Sequence, residues 1–319
     1  MATYKGIHGT KIQNYTSDPA NSLTGQVWYN ATTQTLKVDA GALVGAWATG
    51  NSMNTARQSN SGAGTQTAAL GFGGNTGSLS ALTESYNGTN WTEVNDLNAA
   101  RSALAGAGTN TAALGFGGYA PGDSALTETW NGTNWTEVND LNTARFSISG
   151  AGTNTAALGF FGSVGPKAQT ELWNGTNWTA VNSLNTGRSN AAGAGTQTSA
   201  LGFGGYVSPA VQALTELWNG TNWTEVNDLN TARRSFLGGA GANNTAALAF
   251  GGNISPKAQT ETWNGTNWTE VGDLNTGREN GAGCGVNTLA LAFGGEIPTI
   301  TGATEEWSFS GGIQTIGDS

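Results

Sequence analysis

An arginine closes a similar segment six times along the 319-residue chain, at Arg57, Arg101, Arg145, Arg188, Arg233 and Arg278, with intervals of 44, 44, 43, 45 and 45 residues. Ten residues before each stands a tryptophan: Trp47, Trp91, Trp135, Trp178, Trp223 and Trp268. A repeat of this length confines the chain to architectures in which one small unit is copied side by side. Such a unit cannot bury its apolar face alone, and stacking against its neighbours builds the core.

Two further landmarks recur. Seventeen residues after most of the arginines comes the second glycine of a pair, as at Gly73-Gly74, Gly117-Gly118, Gly204-Gly205 and Gly294-Gly295; Gly251-Gly252 follows after two inserted residues, and the third copy has Phe161-Gly162. A Thr-Glu step then leads to an aromatic two places on, in the pairs Glu84/Tyr86, Glu128/Trp130, Glu171/Trp173, Glu216/Trp218, Glu261/Trp263 and Glu305/Trp307. One copy parses into four extended runs: 102–108 (SALAGAG), 112–117 (AALGFG), 125–130 (ALTETW) and 135–138 (WTEV). The Asn131-Gly132 step between the last two tolerates the positive φ of a tight hairpin. The unit is thus a four-stranded antiparallel meander, and 50 glycines, 12 tryptophans and only 10% charged residues suit an all-β chain rich in turns.

Residue size favours a ring. The first strands read Gly-Ala-Gly in five copies and Gly-Cys-Gly at Gly283 to Gly285. Strands converging on an axis must be slim there, which leaves Leu, Phe and Trp to pack blade on blade further out. The expectation is a six-bladed β-propeller over residues 41–309. Trp47 has no first three strands before it and the last copy ends after its third strand at Trp307, so residues 41–50 should complete the last blade and remove a sheet edge. The Gly-Gly, the aromatic of strand three, the later Trp and the closing Arg together resemble the kelch repeat over about residues 43–309. Residues 1–40 stand outside the repeat. Their GQVWYNATTQTLKV reads as a hairpin and resembles segments of bacteriophage tail-fibre and other virion appendage proteins. It would be packed on the propeller or serve attachment or oligomerisation. Residues 310–319 read as a C-terminal tail.

A formal charge of −9 and a pI near 4.5 disfavour nucleic acid and anionic membranes as partners, since phosphate binding needs clustered Lys and Arg. No apolar run approaches the roughly 20 residues of a membrane span. The first eight residues (MATYKGIH) lack a signal-peptide core, so synthesis in a cytoplasm is expected, with a place in a virion. One cysteine, Cys284, and one histidine, His8, speak against disulfides and His/Cys metal sites, and no cofactor is expected. Copper radical oxidases resembling this fold need histidine ligands that the repeat lacks. Sialidase-like Asp boxes are only half present, because Trp130 stands where the Asp before Gly132-Thr133-Asn134-Trp135 would be. With no nucleophile–base or acid–base set visible, the chain reads as non-catalytic. The Asn-x-Thr sequons, such as those at Asn131 and Asn134, fit hairpin chemistry better than glycosylation.

Trp91, Trp135, Trp178, Trp223 and Trp268 are expected to be inter-blade core, and Arg101, Arg145 and Arg188 to make structural contacts with the Thr-Glu glutamates. Variation concentrates in the links between strands two and three, which hold Tyr119, Lys167, Tyr206 and Lys257, and just after the closing Arg, at Phe146, Arg234 and Glu279. Both sets should emerge on one face. Loops on a rigid scaffold are where binding sits, so these seven residues are the candidate ligand-binding set. The expected partner is a host-surface glycan or protein, with other virion proteins possible; a purely structural virion component and a cytoplasmic protein-interaction propeller are the rivals.

Overall fold

The computed structural model describes residues 12–19, 26–39, 44–163, 168–235, 238–253, 255, 257–310 and 313–316. The protein is all-β. Two compact units are distinguished: Ala46–Ser308, and Met1–Gly45 together with Phe309–Ser319.

The larger unit is a β-propeller of four-stranded antiparallel sheets, six among the described residues. Blade 2 shows the pattern: Ala105–Gly108 is innermost, then come Ala113–Phe116, Thr127–Trp130 and, outermost, Trp135–Val138. Each strand pairs with the next in register, from Leu114 opposite Ala107 to Trp130 opposite Trp135. The last blade runs Ala282–Val286, Leu289–Phe293, Thr304–Ser310 and then Val44–Gly50 from the start of the repeat region, as the incomplete first and last copies predict.

The ring is held by one contact set made six times. Each outer-strand tryptophan donates from Nε1 to a threonine Oγ1 of the preceding blade: Trp135 to Thr83, Trp178 to Thr127, Trp223 to Thr170, Trp268 to Thr215, Trp47 to Thr260 and Trp91 to Thr304, at 3.0–3.1 Å. The last bond joins blade 1 to blade 6 and closes the circle. The same indoles lie 4.7–5.0 Å from Phe72, Phe116, Phe160, Phe203, Phe250 and Phe293 of those preceding blades, so each tryptophan gives apolar area and still satisfies its one donor. On the axis the glycines are a steric requirement. A Cβ on Gly106 would stand 2.5 Å from the Gly62 carbonyl oxygen, and one on Gly150 2.6 Å from that of Gly106.

The six arginines are fully buried, each with its Thr-Glu glutamate. Arg57–Glu84, Arg101–Glu128, Arg145–Glu171, Arg188–Glu216, Arg233–Glu261 and Arg278–Glu305 lie 2.6–3.4 Å apart. Burial pushes the guanidinium pKa down and the glutamate opposes it, leaving Arg the side chain best able to stay charged there. The other carboxylate oxygen accepts the backbone N–H of an asparagine three residues before each arginine: Asn54, Asn98, Asn142, Asn185, Asn230 and Asn275, at 2.7–2.8 Å. Each of these asparagines donates its Nδ2 to the carbonyl of an outer-strand tryptophan. One buried carboxylate therefore pins the link between blades as well as the arginine.

The third copy departs from the Gly-Gly pattern by a change of partner. Phe161 occupies a glycine's left-handed position, at φ 66°. Its ring enters the apolar cluster between blades 3 and 4, with Ala191 packed against it and the Arg188 guanidinium 5.0 Å from its centroid. In the two preceding interfaces Leu104 and Ile148 hold the place of Ala191. The bulk has moved from one side of the interface to the other. Phe161→Gly is expected to cost about 2 to 4 kcal/mol, a phenyl-sized cavity less the relief of left-handed strain, and adding Ala191→Leu should restore more than half of it. Urea unfolding of the two variants measures this; additive losses would show that the two positions do not trade volume.

The smaller unit is a sheet in which Gln13–Tyr15 runs parallel to Val27–Asn30, Val27–Asn30 pairs antiparallel with Thr35–Asp39, and Thr35–Asp39 with Ile313–Ile316. The hairpin expected at 26–38 is present, with Tyr29 opposite Leu36 and Val27 opposite Val38. Residues 313–316, read from sequence as part of a tail, form an edge strand of this sheet. Trp28 is buried and donates to Asp18 Oδ1 at 3.0 Å, as does Asn30 Nδ2 at 2.8 Å. These two bonds, that from Asn30 first, hold the Asp18 carboxyl below its ordinary pKa.

Candidate ligand-binding face

Two residues after each closing arginine the chain turns onto the axis. Ser59, Ala103, Ser147, Asn190, Ser235 and Asn280 all adopt left-handed φ of 51–57°, a conformation costly to most L-residues and more accessible to asparagine. What holds them there is a girdle of hydrogen bonds around the axis. Ser59 N–H donates to the Asn280 carbonyl at 2.5 Å, Ala103 to Ser59 at 2.7 Å, Ser147 to Ala103 at 2.9 Å, Ser235 to Asn190 at 2.9 Å and Asn280 to Ser235 at 3.0 Å. Between Ser147 and Asn190 the side chains make the link, Ser147 Oγ donating to Asn190 Oδ1 at 2.7 Å.

The girdle rims an axial cavity of about 200 Å³. Serine and asparagine side chains, among them Ser59, Ser61, Ser147, Asn190, Ser235 and Asn280, line its wall together with the inner-strand glycines and alanines. No charged side chain lines it among the described residues, so the cavity presents neutral hydroxyl and amide groups.

Around this mouth lie the variable links. In blades 2, 4 and 6 they form two-stranded hairpins, Tyr119–Ala120 with Gly122–Asp123, Tyr206–Val207 with Ala210–Val211, and Glu296–Ile297 with Thr299–Ile300. β-Bridges tie Ser102 to Tyr119, Ser189 to Tyr206 and Glu279 to Glu296. The residue after the arginine and the residue after the Gly-Gly pair are therefore neighbours, which brings the two variable sets together.

Six of the seven candidate residues meet in pairs across neighbouring blades. The Tyr119 and Phe146 rings are edge to face at 5.7 Å between centroids. The Arg234 guanidinium lies over the Tyr206 ring, 4.4 Å from its centroid, and Lys257 Nζ contacts Glu279 Oε1 at 2.5 Å. Lys167 lies outside the described residues. Of the six that are described, Tyr119 is the most open, with 42% of its surface exposed. Each pair joins a hairpin or loop of one blade to the entry of the next, so these side chains also stitch the face. Tyr119 with Phe146, and Tyr206 under Arg234, offer flat apolar surface beside a polar cavity; the Lys257–Glu279 pair offers both charges.

Sequence reasoning selected these side chains without seeing that they pair, because each pair is drawn from two links 22–28 residues apart. It passed over the girdle as well. The positions that form it read Ser, Ala, Ser, Asn, Ser, Asn, and only their small size could have singled them out. Against known proteins, the chain matches no protein-family model and no curated sequence.

Proposed function

We propose that the protein is a non-catalytic binding or adhesion module that recognises a host-surface glycan or protein through the face around the axial cavity. The observation that carries this reading is a contrast within the chain itself. The Trp–Thr, Arg–Glu and Asn–Glu contacts repeat six times almost without change, whereas the links around the mouth differ from copy to copy. A scaffold that repeats its framework and varies one rim suits recognition. The kelch-like landmarks agree with such a scaffold, and the likeness of residues 26–38 to tail-fibre segments supports a place in a virion appendage.

A purely structural role in a virion draws support from the pairing of the candidate residues, since Lys257 and Glu279 neutralise each other. A glycan array probed with the full chain separates the two readings. Retention of defined glycans is expected, and no retention by the array or by host cells would favour the structural role. Once a ligand is retained, Tyr119→Ala with Tyr206→Ala should weaken it by about tenfold or more while changing stability by less than about 1.5 kcal/mol. Loss of binding on changes at the opposite hairpins, such as Asn131-Gly132, would place the site elsewhere.

A further inference from the structure

Four blades share a small device that blade 3 lacks. At the head of strand three a threonine N–H donates to an aspartate five residues beyond the outer-strand tryptophan: Thr83 to Asp96, Thr127 to Asp140, Thr215 to Asp228 and Thr260 to Asp273, at 2.9–3.1 Å. Two residues after that tryptophan stands a glutamate in the same four blades, Glu93, Glu137, Glu225 and Glu270. In blade 3 these positions are Ser183 and Ala180. A notch of about 60 Å³ opens there, lined by Ser183, Ala180, Thr170, Gln169, Thr143 and the buried Glu171.

We infer that this notch in blade 3 binds a single carboxylate group supplied by a ligand, in the place the aspartate takes in its sister blades. Room is sufficient, since one water needs about 10 to 15 Å³ of such space. The donors suit an anion. Thr170 has lost the aspartate that caps its counterparts, and the Thr143 and Ser183 hydroxyls stand beside it. Glu171 does not forbid a second carboxylate, for the sister blades hold one over the same buried pair. Asp140 and Glu137 both act on Arg101 electrostatically, whereas only Glu171 acts on Arg145, so blade 3 has lost two negative charges beside a buried cation. The last blade also carries Ser52 and Thr49 at these positions, so the case for blade 3 rests on the notch together with the substitution.

The test uses the full chain labelled with ¹⁵N-threonine and titrated with sodium acetate against sodium chloride at matched ionic strength. A saturable downfield shift of the Thr170 amide is expected, with the Thr83, Thr127, Thr215 and Thr260 amides unmoved. Ser183→Asp should place the Thr170 amide downfield from the start, raise the melting temperature and abolish the response. N-acetylaspartate amide and glucuronate, added separately, then tell a peptide source from a sugar source by which binds more tightly. Absence of a saturable Thr170 shift, or an undiminished shift in Ser183→Asp, overturns the inference. The Tyr119→Ala/Tyr206→Ala protein should titrate unchanged, which separates this site from the axial face.

Discussion

Arg101→Leu is expected to destabilise the propeller by about 3 to 5 kcal/mol, the usual loss when one partner of a buried pair is removed. Arg101 is wholly buried and donates to Glu128 Oε1 at 2.7 Å and to the carbonyls of Leu126 and Gly117 at 2.5 and 3.2 Å. Without it Glu128 is a buried charge with only the Asn98 donors for company. The reason is the stranded carboxylate more than the lost attraction. Arg101→Leu with Glu128→Gln should therefore recover a large part of the loss, because glutamine carries no charge and keeps an acceptor for Asn98. Denaturant unfolding of the single and double variants decides it: equal losses would mean that the arginine acts through packing, with no special role for the pair.

This result would also show where sequence reasoning stops. The pairing of six arginines with six glutamates was legible from their equal number, but not that all twelve are buried, because a charged residue in a repeat reads as surface by default. The asparagine three places before each arginine recurs just as faithfully. It gives no signal by itself because asparagine is everywhere in this chain, in the NGTN hairpins above all, so its recurrence there carries no contrast. The architecture was legible for the opposite reason. Tryptophan and closing arginine are rare enough that six of each at a fixed offset define the period, and the incomplete first and last copies define the closure.

Other features lie beyond a single-copy reading. The Phe161–Ala191 exchange spans two blades and becomes visible only when the residues facing each other are known. The seam between blades 1 and 6 differs in the same way. Tyr86 stands where the other copies have tryptophan, and its hydroxyl donates to Glu306 Oε1 at 2.5 Å; Glu306 takes the place of Thr129 and Leu172. Burial first, and this bond second, raise the Tyr86 pKa well above the ordinary phenol range. The two departures answer each other across the one interface where the ends of the repeat array meet. The pairing of Ile313–Ile316 with Thr35–Asp39 joins the two ends of the chain, and a short run such as IQTI carries no mark of its partner.

Removal of residues 1–50 is expected to have the second large effect, because it takes the outer strand from the last blade. Trp47 is buried, 4.9 Å from Phe250 and 5.4 Å from Trp307 between ring centroids. It donates to Thr260 Oγ1 at 3.0 Å and its carbonyl accepts from Asn275 at 2.9 Å. Loss of that side chain alone should cost about 3 to 5 kcal/mol, and Trp47→Ala measures this part in the full chain. The truncation adds an unpaired edge along Thr304–Ser310, whose N–H and C=O groups would then face solvent or another chain. Truncated protein should melt far below the full chain and form oligomers that grow with concentration in light scattering. Trp47→Ala should melt lower and stay monomeric to the same extent as its parent, since it keeps the strand. A truncated chain with unaltered melting and no added association would show that the last blade needs no fourth strand, and would remove the closure on which the ring depends.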